Sequence, residues 1–354
     1  MRAVQLIGHG GFEKLIFNEN VPDPKSKKDE VLIKVSAAGV NNTDINTRIG
    51  WYSKSIKTET NYGGEKGFSA TDEKDATWSG NALQFPRIQG ADICGKIVSV
   101  GKEIDKSRIG ERVIVRSMQS DPNNLDKISS YVIGSEIDGG FAEYVSVRSS
   151  ETFKIDCNWS DTELASIPCA YSTAEGMLHR VNLKKEKVLI TGASGGVGSA
   201  AIQLAKRRGA YVIAQCSKSK FKEIINIGAD ETIDRIDDLV LKLGTNSLDV
   251  IVDLVAGEQW KQLLEILKPG GRYVTAGAIA GPIVELDVRT LYLKDLTLYG
   301  CTHQPIEVFK NLIKYIENDE IKPLVAKTFP LDKIIEAQKE FLSKNFIGKI
   351  VLEL

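Results

Sequence analysis

Residues 188–210 read VLITGASGGVGSAAIQLAKRRGA, and this stretch decides the fold. An apolar run, Val188–Ile190, leads through small residues into a segment whose apolar positions Val197, Ala201, Leu204 and Ala205 recur at helical spacing. Gly209 stops that helix, and AYVIAQ begins a further strand. Ala193, Gly195 and Gly198 take the three glycine positions of a GxGxxG-type pattern, with Gly196 and Val197 between them. Small residues there allow a tight turn and the approach of a pyrophosphate to the helix N-terminus, where unpaired N–H groups and the helix dipole favour an anion. The pattern reads as a dinucleotide cradle. The plainer alternative is a glycine-rich strand-to-helix turn with no ligand.

The end of the next strand selects the dinucleotide. An NAD site places an acid there, about 20 residues beyond the glycines, to hold the ribose hydroxyls. This sequence has Cys216 instead, followed by Ser217, Lys218 and Lys220, with Arg235 just after the short strand ETI. A hydroxyl and cationic side chains suit a 2′-phosphate, so the expected cofactor is NADPH, with Ser217, Lys220 and Arg235 as its contacts. Against this stands the ordinary fate of lysines as solvated surface groups.

Outward from the cradle, strands and helices alternate through LDVIVDLV, the Trp260–Leu267 periodicity and GRYVTAG, the βαβ signature of a doubly wound parallel sheet. Before it, short runs broken by Gly and Pro (EVLIKVSAAGV, DICGKIVSVG, ERVIVRS, FAEYVSV) predict a compact β-rich domain. Ser160 followed by Glu163 is a capping-box start and sets the boundary near residue 157. The expected fold is α/β, with a β-rich domain over 1–156, a Rossmann domain over 157–300, and a segment over 301–354 whose closing KIVLEL returns to the first domain. Residues 53–85 are polar, Gly-rich and aperiodic, and read as an insert: a lid, a binding loop, an oligomer arm or a disordered segment.

The 354 residues are 42% hydrophobic and 26% charged, with a net charge of -1, as in a soluble globular protein without nucleic-acid or acidic-membrane partners. No run approaches the roughly 18 apolar residues of a membrane span, and no secretory leader is readable. The five cysteines lack CxxC spacing, so neither a disulfide framework nor a zinc ribbon is readable. A cytoplasmic protein acting on a small molecule is expected.

The motifs GVNNTDINTRIGWY (residues 39–52), FPRIQGADICGKIVSVG, GGFAEYVSV, ASGGVGSAAIQLAKRRGA, LKPGGRYVTAG and IGKIVLEL together resemble the medium-chain dehydrogenase/reductase superfamily over nearly the whole chain outside the insert. The resemblance implies a GroES-like catalytic domain joined to the Rossmann domain, and a homodimer or homotetramer is expected. In zinc-dependent members the catalytic ligands map onto Asn41, Ala91 and Cys169. Only the last is a ligand type, alanine has no donor, and a catalytic zinc needs about three protein ligands. No metal is therefore expected, and Cys169 reads as a packing thiol. The zinc-independent branch of quinone oxidoreductases and enoyl reductases carries GxNxxDxxxRxGxY, met here by Gly39, Asn41, Asp44, Arg48, Gly50 and Tyr52.

The resemblance implies that Tyr52 is the proton donor; the alternative is an aromatic packing beneath the cofactor. Asn41 is a candidate to orient substrate or nicotinamide, or else a turn cap. Asp44 and Arg48, four apart on a helical turn, are expected to form a structural ion pair. His9 and His179 read as structural or surface residues, His303 stays open, and Asn345 is a weak cofactor candidate. The leading function is hydride transfer to a quinone or α,β-unsaturated carbonyl. A metal-free alcohol or aldehyde oxidoreductase and a non-enzymatic, crystallin-like nucleotide-binding protein remain as alternatives.

Overall fold

The computed structural model describes residues 1–121 and 130–354. They form two units, one of Met1–Ile56, Asn61–Cys169 and Phe309–Leu354, the other of Lys57–Thr60 and Ala170–Val308. The capping box at Ser160 forms, with Ser160 N–H donating to Glu163 Oε2 at 2.8 Å and Glu163 N–H to Ser160 Oγ at 3.3 Å. The short helix that it starts, Asp161–Leu164, buries Leu164 and packs on the strands Glu30–Val40 and Cys94–Val100. The first unit therefore runs on to Cys169, past the composition change near residue 157.

In the first unit the long strand Glu30–Val40 is the organiser. It pairs antiparallel with Cys94–Val100, with Tyr144–Arg148 and, through Ala37–Val40, with the closing strand Lys349–Glu353. Its burial alternates over Val31, Ile33 and Val35 and then becomes continuous over Ala37–Val40. The alternation marks a half-solvated sheet, and the continuous stretch marks the part covered on both faces. The surrounding core is mostly aliphatic and includes Ile33, Val40, Ile93 and Ile350, with Phe141 among them. Register matters at one place: Ile350 lies opposite Val40, so Lys349 comes beside Asn41, just past the strand end.

The second unit is a six-stranded sheet, all parallel, in the spatial order Glu231–Asp234, Tyr211–Cys216, Lys187–Ile190, Leu248–Asp253, Leu267–Thr275, Thr297–Gly300. Counted along the chain this is 3-2-1-4-5-6, the doubly wound Rossmann order. Leu189, Ile213, Ile251 and Tyr273 fill one face against Trp260, Leu263 and Leu264 of the helix Trp260–Ile266.

Residues 53–85 contain one 3-10 turn, Thr60–Gly63, and otherwise run as linked turns. They are nevertheless pinned. Phe68 N–H donates to Ile49 O (3.1 Å), Lys54 N–H to Asp75 Oδ2 (3.0 Å) and Ser55 Oγ to Ala70 O (2.5 Å). Ala76, Thr77 and Leu83 are buried, single anchors without the period that would have revealed them in the sequence.

Candidate active site

The signature residues fold around the helix Asn42–Ile49, which Asn41 caps in an extended conformation and Gly50 ends in the left-handed region (φ 74°). Asp44, the third helical residue, reaches back to accept the Asn41 N–H at 2.7 Å, and its other oxygen accepts the Gly90 N–H at 3.2 Å. Burial pushes the Asp44 carboxyl up to about 7; these two N–H groups and the Lys349 ammonium pull it down, and Asp92 pushes it further up.

Arg48 does not pair with Asp44, contrary to the spacing-based expectation. Its guanidinium donates to Gln338 Oε1 (2.9 Å), Gly10 O (2.9 Å) and Gly64 O (2.7 Å), and it lies 4.5 Å from the Phe12 ring centroid. Asp44 is already committed to two backbone donors, while a planar fork with five N–H groups suits three separate acceptors. Arg48 thus ties the insert, at Gly64, to the helix.

Asn41 is buried with its amide engaged at both ends. Nδ2 donates to Asp92 Oδ2 (2.9 Å), and Oδ1 accepts from the Lys349 ammonium. Lys349 Nζ also reaches Asp92 Oδ2 (2.8 Å) and Val40 O (3.0 Å), and Asp92 Oδ1 accepts the Cys169 N–H at 2.5 Å. Gly39 makes room: a Cβ there would stand 2.5 Å from Asp92 Oδ2 and 2.6 Å from Ala165 O. So placed, Asn41 is a cap locked into a buried ion cluster, with no amide atom left over for a substrate. Asp92 was not singled out from sequence, and Lys349 was read only as lying, with Asn345, in a closing segment that often touches cofactor in members of the resembled family. Their signal was Lys349 as the lone charge of the apolar run IGKIVL, since a buried lysine requires a partner.

The same cluster tests the zinc expectation. Ala91 is buried without a donor atom, and the Asn41 oxygen already holds an ammonium. Among the described residues no three His, Cys, Asp or Glu side chains converge on a point. This donor set does not fit a zinc ion.

Tyr52 follows the helix-ending glycine, and its ring lies 5.7 Å from Trp51 and 5.5 Å from Trp78 of the insert, centroid to centroid. Burial pushes the phenol up to about 12, while the nearby polar side chains of Thr43, Asn46 and Trp78 draw it back. At neutral pH it therefore holds its proton. Trp78 Nε1 donates to Thr43 Oγ1 at 2.6 Å. Neither Trp78 nor Thr43 was anticipated, because nothing in an aperiodic insert marks which aromatic turns inward.

In the second unit, Gly192 (φ 58°) makes the turn after the first strand, a role the sequence pattern did not give it. Ala193 N–H is held by Gln215 O (3.0 Å), and Gly195 caps the helix Gly196–Arg207. A Cβ on Gly198 would stand 2.3 Å from Gly192 O, so only glycine lets helix and turn close. The N–H groups of Gly196, Val197 and Gly198 belong to the first helical turn, which has no intrahelical acceptor for them. At the end of the second strand, Lys220 Nζ donates to Ser194 Oγ (3.3 Å), Ser217 precedes it, and Arg235, exposed, anchors its N–H on Cys216 O (3.1 Å). Burial lowers the Lys220 pKa, Cys216 and Glu223 oppose the lowering, and Arg235 adds to it. This cradle fits a nicotinamide dinucleotide, whose pyrophosphate Gly195 to Gly198 would hold. Asp253, fully buried, accepts from Thr191 Oγ1 (2.6 Å), Tyr273 Oη (2.5 Å) and the Val255 N–H (2.9 Å), and so fixes the loop after the fourth strand. Sequence reading passed over it.

The remaining candidates have surroundings of their own. His9 Nδ1 meets Thr47 O at 2.7 Å and stacks edge-on against Phe85, a structural role. His179 is exposed, His303 receives Arg180 Nη2 on its carbonyl (2.9 Å), and Asn345 is exposed with its N–H on Ser343 Oγ (3.2 Å).

Two family models match this chain, the alcohol dehydrogenase GroES-like domain over residues 27–157 and the zinc-binding dehydrogenase over 196–318. A solved structure of a putative alcohol dehydrogenase from Sinorhizobium meliloti 1021 is 42% identical, with a TM-score of 0.87, and the match covers 100% of this chain and 96% of that one. An acryloyl-coenzyme A reductase of Sulfurisphaera tokodaii is 29% identical over all of both chains. The quinone oxidoreductase of Lama guanicoe is 28% identical over 100% of this chain and 98% of its own. With a GroES-like β-rich unit, a Rossmann sheet in 3-2-1-4-5-6 order and this similarity along its whole length, the chain belongs to the medium-chain dehydrogenase/reductase superfamily.

Proposed function

We propose that the protein is an NADPH-dependent, zinc-independent oxidoreductase that reduces a quinone or an α,β-unsaturated carbonyl. The observation that carries this reading is the Asn41–Asp92–Lys349 cluster, which leaves no ligand set for a Lewis acid. A saturated carbonyl needs strong electrophilic help at its oxygen. A conjugated acceptor is already electrophilic at a remote carbon and needs only a hydrogen-bond donor and a proton. Acryloyl-coenzyme A and quinones, the substrates that the two reductase relatives are named for, are acceptors of this conjugated kind.

NADPH, when bound, supplies the hydride. The chain's own residues do the rest. The first turn of the helix Gly196–Arg207 and the Ser217, Lys220 and Arg235 group bind and select the dinucleotide. Tyr52, held protonated by its burial, gives its proton to the α-carbon of the enolate: its O–H bond breaks, the new C–H bond forms, and the phenolate recovers a proton from water.

The test is NADPH consumption against a panel of quinones, enones and enoyl thioesters, with product analysis separating C=C from C=O reduction. Reduction of simple aldehydes alone would favour the alcohol dehydrogenase reading, which the 42% identity to the putative alcohol dehydrogenase supports. No consumption by any acceptor would overturn both.

A further inference from the structure

Ala256 holds a backbone conformation that an L-residue rarely takes. Its φ of 55° and ψ of -139° lie outside the left-handed helical well, and Gly257 follows at φ 71°. Strain of this kind persists only where the surroundings over-determine it, and it gathers at ligand clamps. Here the surroundings are the buried carboxylate of Asp253. Leu254 N–H donates to Thr191 Oγ1 (2.9 Å), Val255 N–H to Asp253 Oδ1 (2.9 Å), and Ala256 N–H to both Asp253 oxygens (3.1 Å each). Thr191 Oγ1 and Tyr273 Oη donate to the same carboxylate from the strand ends on either side. Three successive N–H groups are thus wound around one carboxylate and one hydroxyl, and Ala256 takes its strained φ to bring the third within reach.

This winding lies where the strand order of the sheet reverses. Lys187–Ile190 and Leu248–Asp253 are parallel neighbours at the centre of the 3-2-1-4-5-6 order, and ligands of doubly wound sheets lie outside the carboxyl ends of such a pair. The half of the sheet that carries the glycine turn takes the adenosine mononucleotide, so the half that starts at Leu248–Asp253 takes the other. The two strand ends touch: a Cβ on Gly192 would stand 3.2 Å from Val255 Cγ2 and 3.5 Å from Leu254 Cβ. With their amides turned inward, Leu254 and Val255 leave half-buried apolar side chains beside the glycine turn. Ala280 N–H, donating to Val255 O (3.0 Å), ties in the loop after the fifth strand.

Resting on the reading of this unit as a nicotinamide-dinucleotide site, we propose that Asp253 is a positioning residue for the nicotinamide riboside: by holding Ala256 in its strained conformation, it keeps loop 254–257, with Leu254 and Val255 as an apolar wall, in the shape that the nicotinamide half meets.

The test compares, by calorimetric titration, the dinucleotide that the parent binds more tightly, NADPH or NADH, with its adenosine half alone, 2′,5′-ADP or AMP. Asp253→Asn keeps the volume and removes one acceptor oxygen. It is expected to weaken the dinucleotide roughly 10-fold, the worth of one hydrogen bond, and to leave the adenosine half almost unchanged. Ala256→Gly added to Asp253→Asn should recover most of that loss, because glycine takes the conformation without being held there. A general loosening of the fold would not be recovered in this way. If Asp253→Asn fails to fold, Thr191→Val, which keeps the shape and removes the hydroxyl, is expected to give the same selective loss. Equal losses for the dinucleotide and its adenosine half, no loss at all, or a loss that Ala256→Gly leaves undiminished overturns the proposal. If the parent binds neither NADPH nor NADH, the dinucleotide reading itself has failed and the proposal falls with it.

Discussion

Lys349 Nζ lies 2.8 Å from Asp92 Oδ2, with the lysine side chain 3% and the aspartate 0% exposed. The pair joins the closing strand to the residue beside Ala91, and Asn41 bridges both partners. Removing one member of a buried pair leaves the other charge uncompensated, at a typical cost of about 3–5 kcal/mol. Lys349→Met is expected to lower the unfolding free energy by about that amount in chemical denaturation. Lys349→Met combined with Asp92→Asn should recover part of the loss. A single variant within ~1 kcal/mol of the parent would show that water already screens the pair.

Asp44 gives the protein a pH signature. Its carboxyl, pushed up to about 7 by burial in the folded chain, would release its proton near 3.8 when unfolded. Between these values the folded state holds the extra proton. The stabilising contribution is therefore full below the unfolded value and is lost as pH rises toward about 7. The shift corresponds to something on the order of 4 kcal/mol. Asp44→Asn lacks this titration, so the advantage of the parent over the variant should shrink as pH rises through the window, read from melting temperatures. A difference independent of pH would mean the carboxylate is ionised throughout.

Lys220, whose ammonium lies 3.3 Å from Ser194 Oγ, is the residue that the proposed function makes responsible for separating the two dinucleotides. A charge-assisted hydrogen bond to a phosphate contributes about 1.5–3 kcal/mol. Lys220→Ala should weaken NADPH binding roughly 10- to 100-fold by calorimetric titration and leave NADH almost unchanged. Equal losses for both would assign Lys220 to the fold of the Lys218–Lys220 turn.

Tyr52→Phe removes one oxygen and leaves the ring in place against Trp51 and Trp78. NADPH affinity should hardly move. Loss of a general acid costs about 10²–10⁴-fold, and the deficit is expected in kcat for enones and enoyl thioesters. Quinones, whose reduced oxygens take protons from water, should suffer less. Parental kcat on every acceptor would rule out Tyr52 as the donor.

The strand, glycine turn and helix of the second unit were legible because their information is local. Strand, glycine turn and helix are contiguous in residues 188–210, and the close contact of Gly198 with Gly192 O requires a glycine at a fixed spacing. The β-rich first unit was legible for a similar reason, since alternating burial along Glu30–Val40 imposes its period on the sequence. The Asp44–Arg48 pair was misjudged because helical spacing says which residues are neighbours and not which acceptors lie across from them; Arg48 found Gln338, 290 positions away. Lys349 meets Asn41 across 308 positions through strand register, and Trp78 meets Thr43 through the closure of an aperiodic loop. Sequence by itself determined the two folds and the glycine turn of the second, where short-range periodicity and glycine sterics decide. Only tertiary structure decided which charges and donors surround Asn41 and Tyr52, because buried polar groups take whatever partner the packing brings within hydrogen-bond reach.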